Sequence, residues 1–281
     1  MASSTPTQPD QQNKDHWSSE TYSASAAFVP KLTQTLLQYL DPKPTDKVLD
    51  IGCGDGVFTS LFLPHVQSVL GIDASPAMIA AANRDFGSEK AEFHVVDCCY
   101  LEQEGGVADG SWDKVVSNAA LHWILRNEKT RLSTLRGVHA ALKQGGTFVF
   151  EMGGHGNVGE VNTALMFALR RQGVPIEKVR EVYPWFFPSV PWMTNALENI
   201  GFKVVKMEIE HRPTLLTTST NGGLAGWVRL MGASFLDVLS PEKREEAVRD
   251  VCEVLQNVVT REEDGSQWLQ YVRLRGIAEK L

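Results

Sequence analysis

Residues 48–56 read Val-Leu-Asp-Ile-Gly-Cys-Gly-Asp-Gly, and no other segment limits the fold so tightly. An apolar run this short fits a buried parallel strand. Glycines directly after it let the backbone turn sharply and come close to a ligand. One nucleotide loop is excluded at once and a second is disfavoured. A phosphate-binding loop needs G-x-x-x-x-G-K-[ST], which is absent. A dinucleotide fingerprint needs glycine where Val57 stands, because Gly56 falls one place early. The segment also carries Asp50 and Asp55. Carboxylates there repel a pyrophosphate and favour the cationic end of a ligand.

The pattern that follows alternates. Residues 58–63 fit a short helix and 69–72 a second buried strand. Ser75-Pro76 opens a helix continuing through 77–83, with serine as cap and proline at the first helical position. Strands are expected at 93–96, 112–117 and 147–152. A helix over 127–143 stops at Gln144-Gly145-Gly146. Strands alternating with helices imply a parallel sheet with right-handed crossovers, an α/β doubly wound architecture. Further on, 157–172 reads as a helix, 174–192 is rich in proline and aromatics, and 202–209 alternates as a strand does. Residues 221–260 read as mostly helical, with Ser240-Pro241 opening the last helix, and 270–277 alternates as a final strand. Residues 1–15 are polar with almost nothing to bury, which reads as a disordered tail. A helix within 17–40 closes at Asp41-Pro42. Residues 16–281 are read as one domain.

Charge narrows the partners. The formal net charge is −7 and no Lys/Arg-rich stripe appears, so nucleic acid and anionic membranes are not expected partners. The four cysteines show no zinc-ligand spacing, which fits a reducing compartment, and no metal-ligand cluster is evident. The N-terminus lacks the apolar core of a signal peptide, and no run reaches the roughly 20 apolar residues of a spanning helix. The cytoplasm is the expected location, with the nucleus left open. Monomer and homodimer both remain compatible with the sequence.

Asp73 ends the second expected strand, where an acid takes ribose hydroxyls, and Asp97 ends the third, where a carboxylate accepts from an adenine amino group. Acids thus stand at three successive strand ends, around the crevice where open α/β sheets bind ligands. D-I-G-C-G-D-G, G-I-D-A-S-P-A-M-I and V-V-D, ending at Gly56, Ile79 and Asp97, resemble the first three motifs of class I S-adenosylmethionine-dependent methyltransferases. S-P-A-M-I with N-A-A-L-H-W resembles the trans-aconitate and ubiquinone-biosynthesis-like small-molecule branch, including fungal thiol methyltransferases of the gliotoxin type. The resemblance covers about residues 45–152, the expected cofactor core. It implies a doubly wound, mostly parallel seven-stranded sheet, the Rossmann-like methyltransferase fold, with an antiparallel edge. A helical lid insertion is expected at about 155–200 and 212–266.

The same resemblance implies S-adenosyl-L-methionine as cofactor, S-adenosyl-L-homocysteine as product and no metal. Gly52, Cys53, Gly54 and Gly56 would border the methionine moiety, and Asp50 would help fix its ammonium. Asp73 would hold the ribose, Ala74 and Met78 would pack on adenine, and Asp97 with the backbone of Cys98 would meet the adenine edge. Asn118 would lie beside the sulfonium, while Tyr22 and Phe28 would close over the cofactor. His122 fits either a general base or an acceptor contact, and His155 is the second candidate base. Trp123, Trp185, Phe186, Trp227 and Met231 are candidate walls for the acceptor, and Arg170 is a candidate partner for an acceptor carboxylate. The expected reaction is methyl transfer to a small molecule, either a secondary-metabolite thiol or a carboxylate of the trans-aconitate type. A regulator that binds the cofactor without turnover is the rival reading.

Overall fold

The computed structural model describes residues 33–217 and 222–281; the expected tail, Tyr22 and Phe28 lie outside the described residues. After helix α1 (Gln34–Leu40) comes the doubly wound half. It consists of β1 (Lys47–Ile51), α2 (Val57–Phe62), β2 (Ser68–Asp73), α3 (Pro76–Phe86), β3 (Ala91–Val95), β4 (Trp112–Asn118), the short α4 (Leu121–Ile124), α5 (Arg131–Ala141) and β5 (Leu142–Gly153). Then follow α6 (Gly159–Arg171), α7 (Ile176–Glu181), α8 (Val190–Ile200), β6 (Phe202–Leu215), α9 (Gly223–Met231), α10 (Ala233–Leu236), α11 (Pro241–Val259) and β7 (Trp268–Lys280).

Seven strands form one sheet in the order β3-β2-β1-β4-β5-β7-β6. β1 to β5 are parallel, and β7 runs antiparallel between β5 and β6. The chain winds outward from β1 to β3, then crosses back to β4. The switch point therefore lies between the carboxyl ends of β1 and β4, where such sheets hold their ligands. Both faces are buried, as crossovers require. Leu49, Ile51, Val115, Phe148 and Phe150 pack on one side, and Val48, Val116 and Val149 pack with α1 and α2 on the other.

A separate apolar cluster joins α6, α7, α9, α10 and α11, with Leu165, Trp185, Val228, Phe235 and Val251 at its centre. These helices occupy most of the segments expected to form a lid, whereas α8, inside the expected 155–200 segment, packs Met193, Ala196 and Leu197 into the sheet's own core. Its start was written in the sequence: Ser189 Oγ accepts from the Trp192 amide at 3.3 Å and proline follows in the first turn. The proline and aromatic content around it obscured that cap. β6 runs six residues past the expected end, because β7 pairs with it from Phe202↔Lys280 to Leu215↔Trp268. α5 ends at Ala141 instead of reaching 143, since Leu142 is already extended and pairs with Trp112.

Candidate active site

The glycine loop is built by backbone sterics. Gly52, Gly54 and Gly56 have φ of +69°, +57° and +81°, the left-handed region that other residues enter at a cost. A Cβ on Gly52 would lie 2.2 Å from that of Ala120, so no side chain fits between β1 and the start of α4. The Gly52 and Cys53 amides donate to the Ile72 carbonyl at 2.8 and 3.1 Å, tying the loop to β2. Asp73 completes the tie, accepting from the Gly54 amide at 3.0 Å and the Ser75 amide at 2.9 Å. Asp97 accepts from the Cys99 amide at 3.0 Å and caps the turn that follows β3.

Asp50 is buried, and one carboxylate oxygen accepts from Thr59 Oγ1 at 2.6 Å. The other oxygen has no hydrogen-bond partner among the described residues. Burial pushes the carboxyl up to about 7 against the opposing Thr59 bond, with the Asp73 charge adding to the rise. A buried acid beside a glycine loop, with an unpaired oxygen, is a fitting place for a ligand's ammonium group.

A cavity of 1230 Å³ runs from this loop to the lid. That exceeds the roughly 300–1,000 Å³ of a single small-molecule site, leaving room for a cofactor and an acceptor together. Asp50, Gly52, Cys53, Gly54, Asp73, Ala74, Met78, Asp97, Cys98 and Asn118 line one end, and Trp123, Trp185, Trp227 and Met231 line the other. His122 also lines the cavity. Two lining residues that are not glycine, Ala119 and Val158, hold positive φ of 57° and 44°, a cost of the kind that collects at functional sites. Burial pushes the Cys53 and Cys98 thiols up, which keeps both protonated.

Four candidates fall outside the cavity wall. Gly56 makes the turn instead, where a Cβ would crowd Phe86, Ala82 and Phe93 at 3.0, 3.2 and 3.3 Å. His155 is exposed, its amide donating to the Pro188 carbonyl, because the chain turns outward after β5. Phe186 packs away from the lid, under the Arg131 guanidinium at 3.7 Å and against Trp192. Its neighbours Trp185 and Phe187 stack on each other on the cavity side, as alternation in an extended segment dictates. Arg170 caps its own helix end by donating to the Val174 carbonyl at 2.8 Å.

His122 is 7% exposed, and its Nδ1 accepts from the Gly153 amide at 3.3 Å. That bond assigns the ring proton to Nε2. Burial first, and the Arg273 charge second, hold the imidazole well below its usual range, so it is neutral at physiological pH.

Sequence reasoning missed the other charged wall. Glu151 on β5 is 3% exposed and accepts from Arg212 at 2.8 Å, Arg273 at 3.2 Å and Arg275 at 3.1 Å. Arg275 also reaches Glu208 at 3.1 Å and Glu210 at 2.5 Å. Burial opposes the Glu151 charge, but Arg273 and Arg212 outweigh it and hold its carboxyl below the usual range. Arg212, Arg273 and Tyr271 line the cavity, and the Tyr271 hydroxyl accepts from Trp227 Nε1 at 2.6 Å. The available signal was the period of two: Tyr271, Arg273 and Arg275 fall on one face of β7, with Glu208, Glu210 and Arg212 facing them from β6.

A glycine loop after the first strand, acids at three strand ends and a cavity at the switch point define a doubly wound α/β protein of the kind that holds its ligands there. Comparison with known proteins carries this to a family. The methyltransferase domain family matches residues 48–146. An uncharacterized methyltransferase of Schizosaccharomyces pombe is 37% identical over 267 residues, covering 95% of this chain and 99% of its own. A malonyl-[acyl-carrier protein] O-methyltransferase of Paenibacillus sp. is 36% identical over 208 residues, covering 70% of this chain and 71% of its own. The fold is shared with a crystal structure from Bacillus halodurans named as a methyltransferase, with a TM-score of 0.59 and 15% identity over 89% of this chain and 99% of that one. The chain belongs to the class I S-adenosylmethionine-dependent methyltransferases. Among the described residues, no group of three or more His, Cys, Asp or Glu is arranged to hold a metal ion, and no helix is long and apolar enough to cross a membrane.

Proposed function

We propose that the chain transfers a methyl group from S-adenosylmethionine to a small-molecule acceptor held under the lid. One observation carries this reading: a single cavity joins the acid-lined loop to an aromatic chamber. In this reading Asp50 pairs with the cofactor's ammonium, Asp73 and Asp97 take the ribose and adenine, and Asn118 borders the sulfonium. Trp123, Trp185, Trp227 and Met231 enclose the acceptor and exclude water. Bound S-adenosylmethionine supplies a methyl on a cationic sulfur that leaves as a neutral thioether. The protein's task is then to place the acceptor within about 3 Å of that carbon. His122, neutral and protonated on Nε2, serves as a hydrogen-bond donor that orients the acceptor and not as a base.

Such a site suits an acceptor needing little proton removal, a carboxylate or a thiol. An acceptor that carries a carboxylate is favoured by the cavity wall of Arg212 and Arg273. The Paenibacillus relative, named for O-methylation of a malonyl group, supports the same choice. The test is methyl transfer from labelled S-adenosylmethionine to parallel panels of small carboxylates and thiols. Product in either panel supports the reading. Tight cofactor binding with no methylation of any small acceptor, beside turnover on RNA or protein, would replace it.

A further inference from the structure

One wall of the cavity carries two arginines, Arg212 and Arg273. Glu151 is the carboxylate that Arg212 and Arg273 share, and Arg275 draws on it as well. Arg275 is matched separately by Glu208 and Glu210, further along the same face, and none of the three lines the cavity. Arg212 and Arg273 line the cavity, with Glu151 behind them.

The geometry of Arg273 is the informative part. The side chain is 4% exposed, and its Nε donates to Glu151 at 3.2 Å. This fixes the planar group from behind, and no hydrogen bond engages its two terminal nitrogens among the described residues. Held from behind and lining the cavity, the guanidinium presents a planar fork to an acceptor arriving from the cavity. The Tyr271 hydroxyl and the Trp227 ring stand on the same wall.

We propose that Arg273, flanked by Arg212, is an anchor for a carboxylate of the acceptor, and that the methylated atom is a different nucleophile of the same molecule. The inference rests on the proposed small-molecule transfer and names its substrate class, an acid with a second nucleophilic group. A carboxylate gripped by a guanidinium fork has its charge spent in charge-assisted hydrogen bonds, which makes it a good handle and a poor nucleophile. The second group, such as another carboxylate or a thiol, is then the one presented to the cofactor end past His122. Arg273 lies close enough to His122 for its charge to act on the imidazole, so the anchor borders the place of transfer.

The experiment uses the full chain saturated with S-adenosylhomocysteine, titrated with malonate, with its uncharged analogue malonamide, and with inorganic phosphate, followed by calorimetry and by protein NMR. Malonate is expected to bind with shifts at Trp227 and Tyr271. Malonamide is expected to bind about tenfold or more weakly, and tetrahedral phosphate more weakly than the planar carboxylate. Arg273→Met should lose malonate about tenfold or more while S-adenosylhomocysteine affinity stays within about twofold; Arg273→Lys, which keeps charge but not the fork, should fall between them. If Arg273→Met does not fold, the Lys variant and the malonate-to-malonamide ratio on the unaltered chain decide. Equal binding of malonate and malonamide, or malonate binding indifferent to Arg273→Lys, overturns the anchor. Should phosphate win over malonate, the anchor is for a phosphate and the acid class is wrong. Methylation of uncharged thiols with no carboxylate preference would remove the anchor and leave small-molecule transfer standing. Transfer confined to macromolecules would remove both.

Discussion

The two ends of the cavity are made in opposite ways. The cofactor end is made of backbone: three left-handed glycines, amides donated to Ile72, and acids that brace the loop from adjacent strand ends. Its parts lie within 48–118 and follow one another in order along β1 to β4. The acceptor end is made of side chains brought from afar. Trp123 follows β4, Trp185 precedes α8, Trp227 sits on α9, and Arg212, Tyr271 and Arg273 come from the antiparallel pair β6 and β7. A rigid backbone cradle serves one fixed cofactor, whereas a wall of interchangeable side chains can be refitted to a new acceptor without disturbing the sheet.

If that contrast is right, the largest effect comes from the cradle. Gly52→Val should cost roughly 2–5 kcal/mol, from a strained φ and from overlap with Ala120, and should abolish cofactor binding. Thermal melts and calorimetry read both, and a stable variant that binds normally would mean the loop is not a rigid cradle. Asp73→Ala should lose cofactor affinity on the order of 1.5–3 kcal/mol. Part of that loss is indirect, because the Gly54 amide loses its acceptor. Calorimetry with S-adenosylhomocysteine checks it, and unchanged affinity sinks the assignment of this acid.

Asp50 sharpens the comparison through pH. Its folded carboxyl sits at about 7, above the unfolded value, so folding favours the protonated form. The unliganded protein should lose stability as pH rises through about 7, and Asp50→Asn should recover on the order of 1–3 kcal/mol at pH 8 while weakening the cofactor. A cationic ligand favours the ionised form, so binding below pH 7 should release a proton, seen as a buffer-dependent heat. A buffer-independent heat would detach this acid from the ammonium.

At the acceptor end, effects should be smaller and confined to the acceptor. Trp227→Phe removes the donor to Tyr271 and should cost about 1–2 kcal/mol of stability, raising acceptor KM while leaving S-adenosylhomocysteine affinity unchanged. Equal losses for cofactor and acceptor would erase the division between the two ends. The smallest effect belongs to His122. Its imidazole titrates well below the unfolded value of about 6.5, so the unfolded state binds the extra proton and stability falls as pH drops through about 6.5. His122→Gln should remove that slope, at most about 1.4 kcal/mol per pH unit, and leave no lost ionisation in the pH–rate profile. A lost ionisation near neutrality would restore the general-base role.

The order of strands, the glycine loop and the three acids were legible because each is a local necessity. A left-handed turn needs glycine within a few residues of its strand, and a crevice acid must end the strand that carries it. α8 went unread, although Ser189 and the proline after it cap its start. Phe186 and Arg170 misled, since aromatic content and charge do not say which way a side chain turns; neighbouring Trp185 and Phe187 took the cavity and Phe186 took Arg131. The sequence by itself determined the succession of parallel strands and the glycine loop that ends the first, through period, turn chemistry and spacing. Only the tertiary structure decided that Glu151 would gather three arginines and that two of them would line the cavity. That outcome depends on β7 sliding between β5 and β6 in one register, and a shift of one residue would turn every one of those charges to the other face.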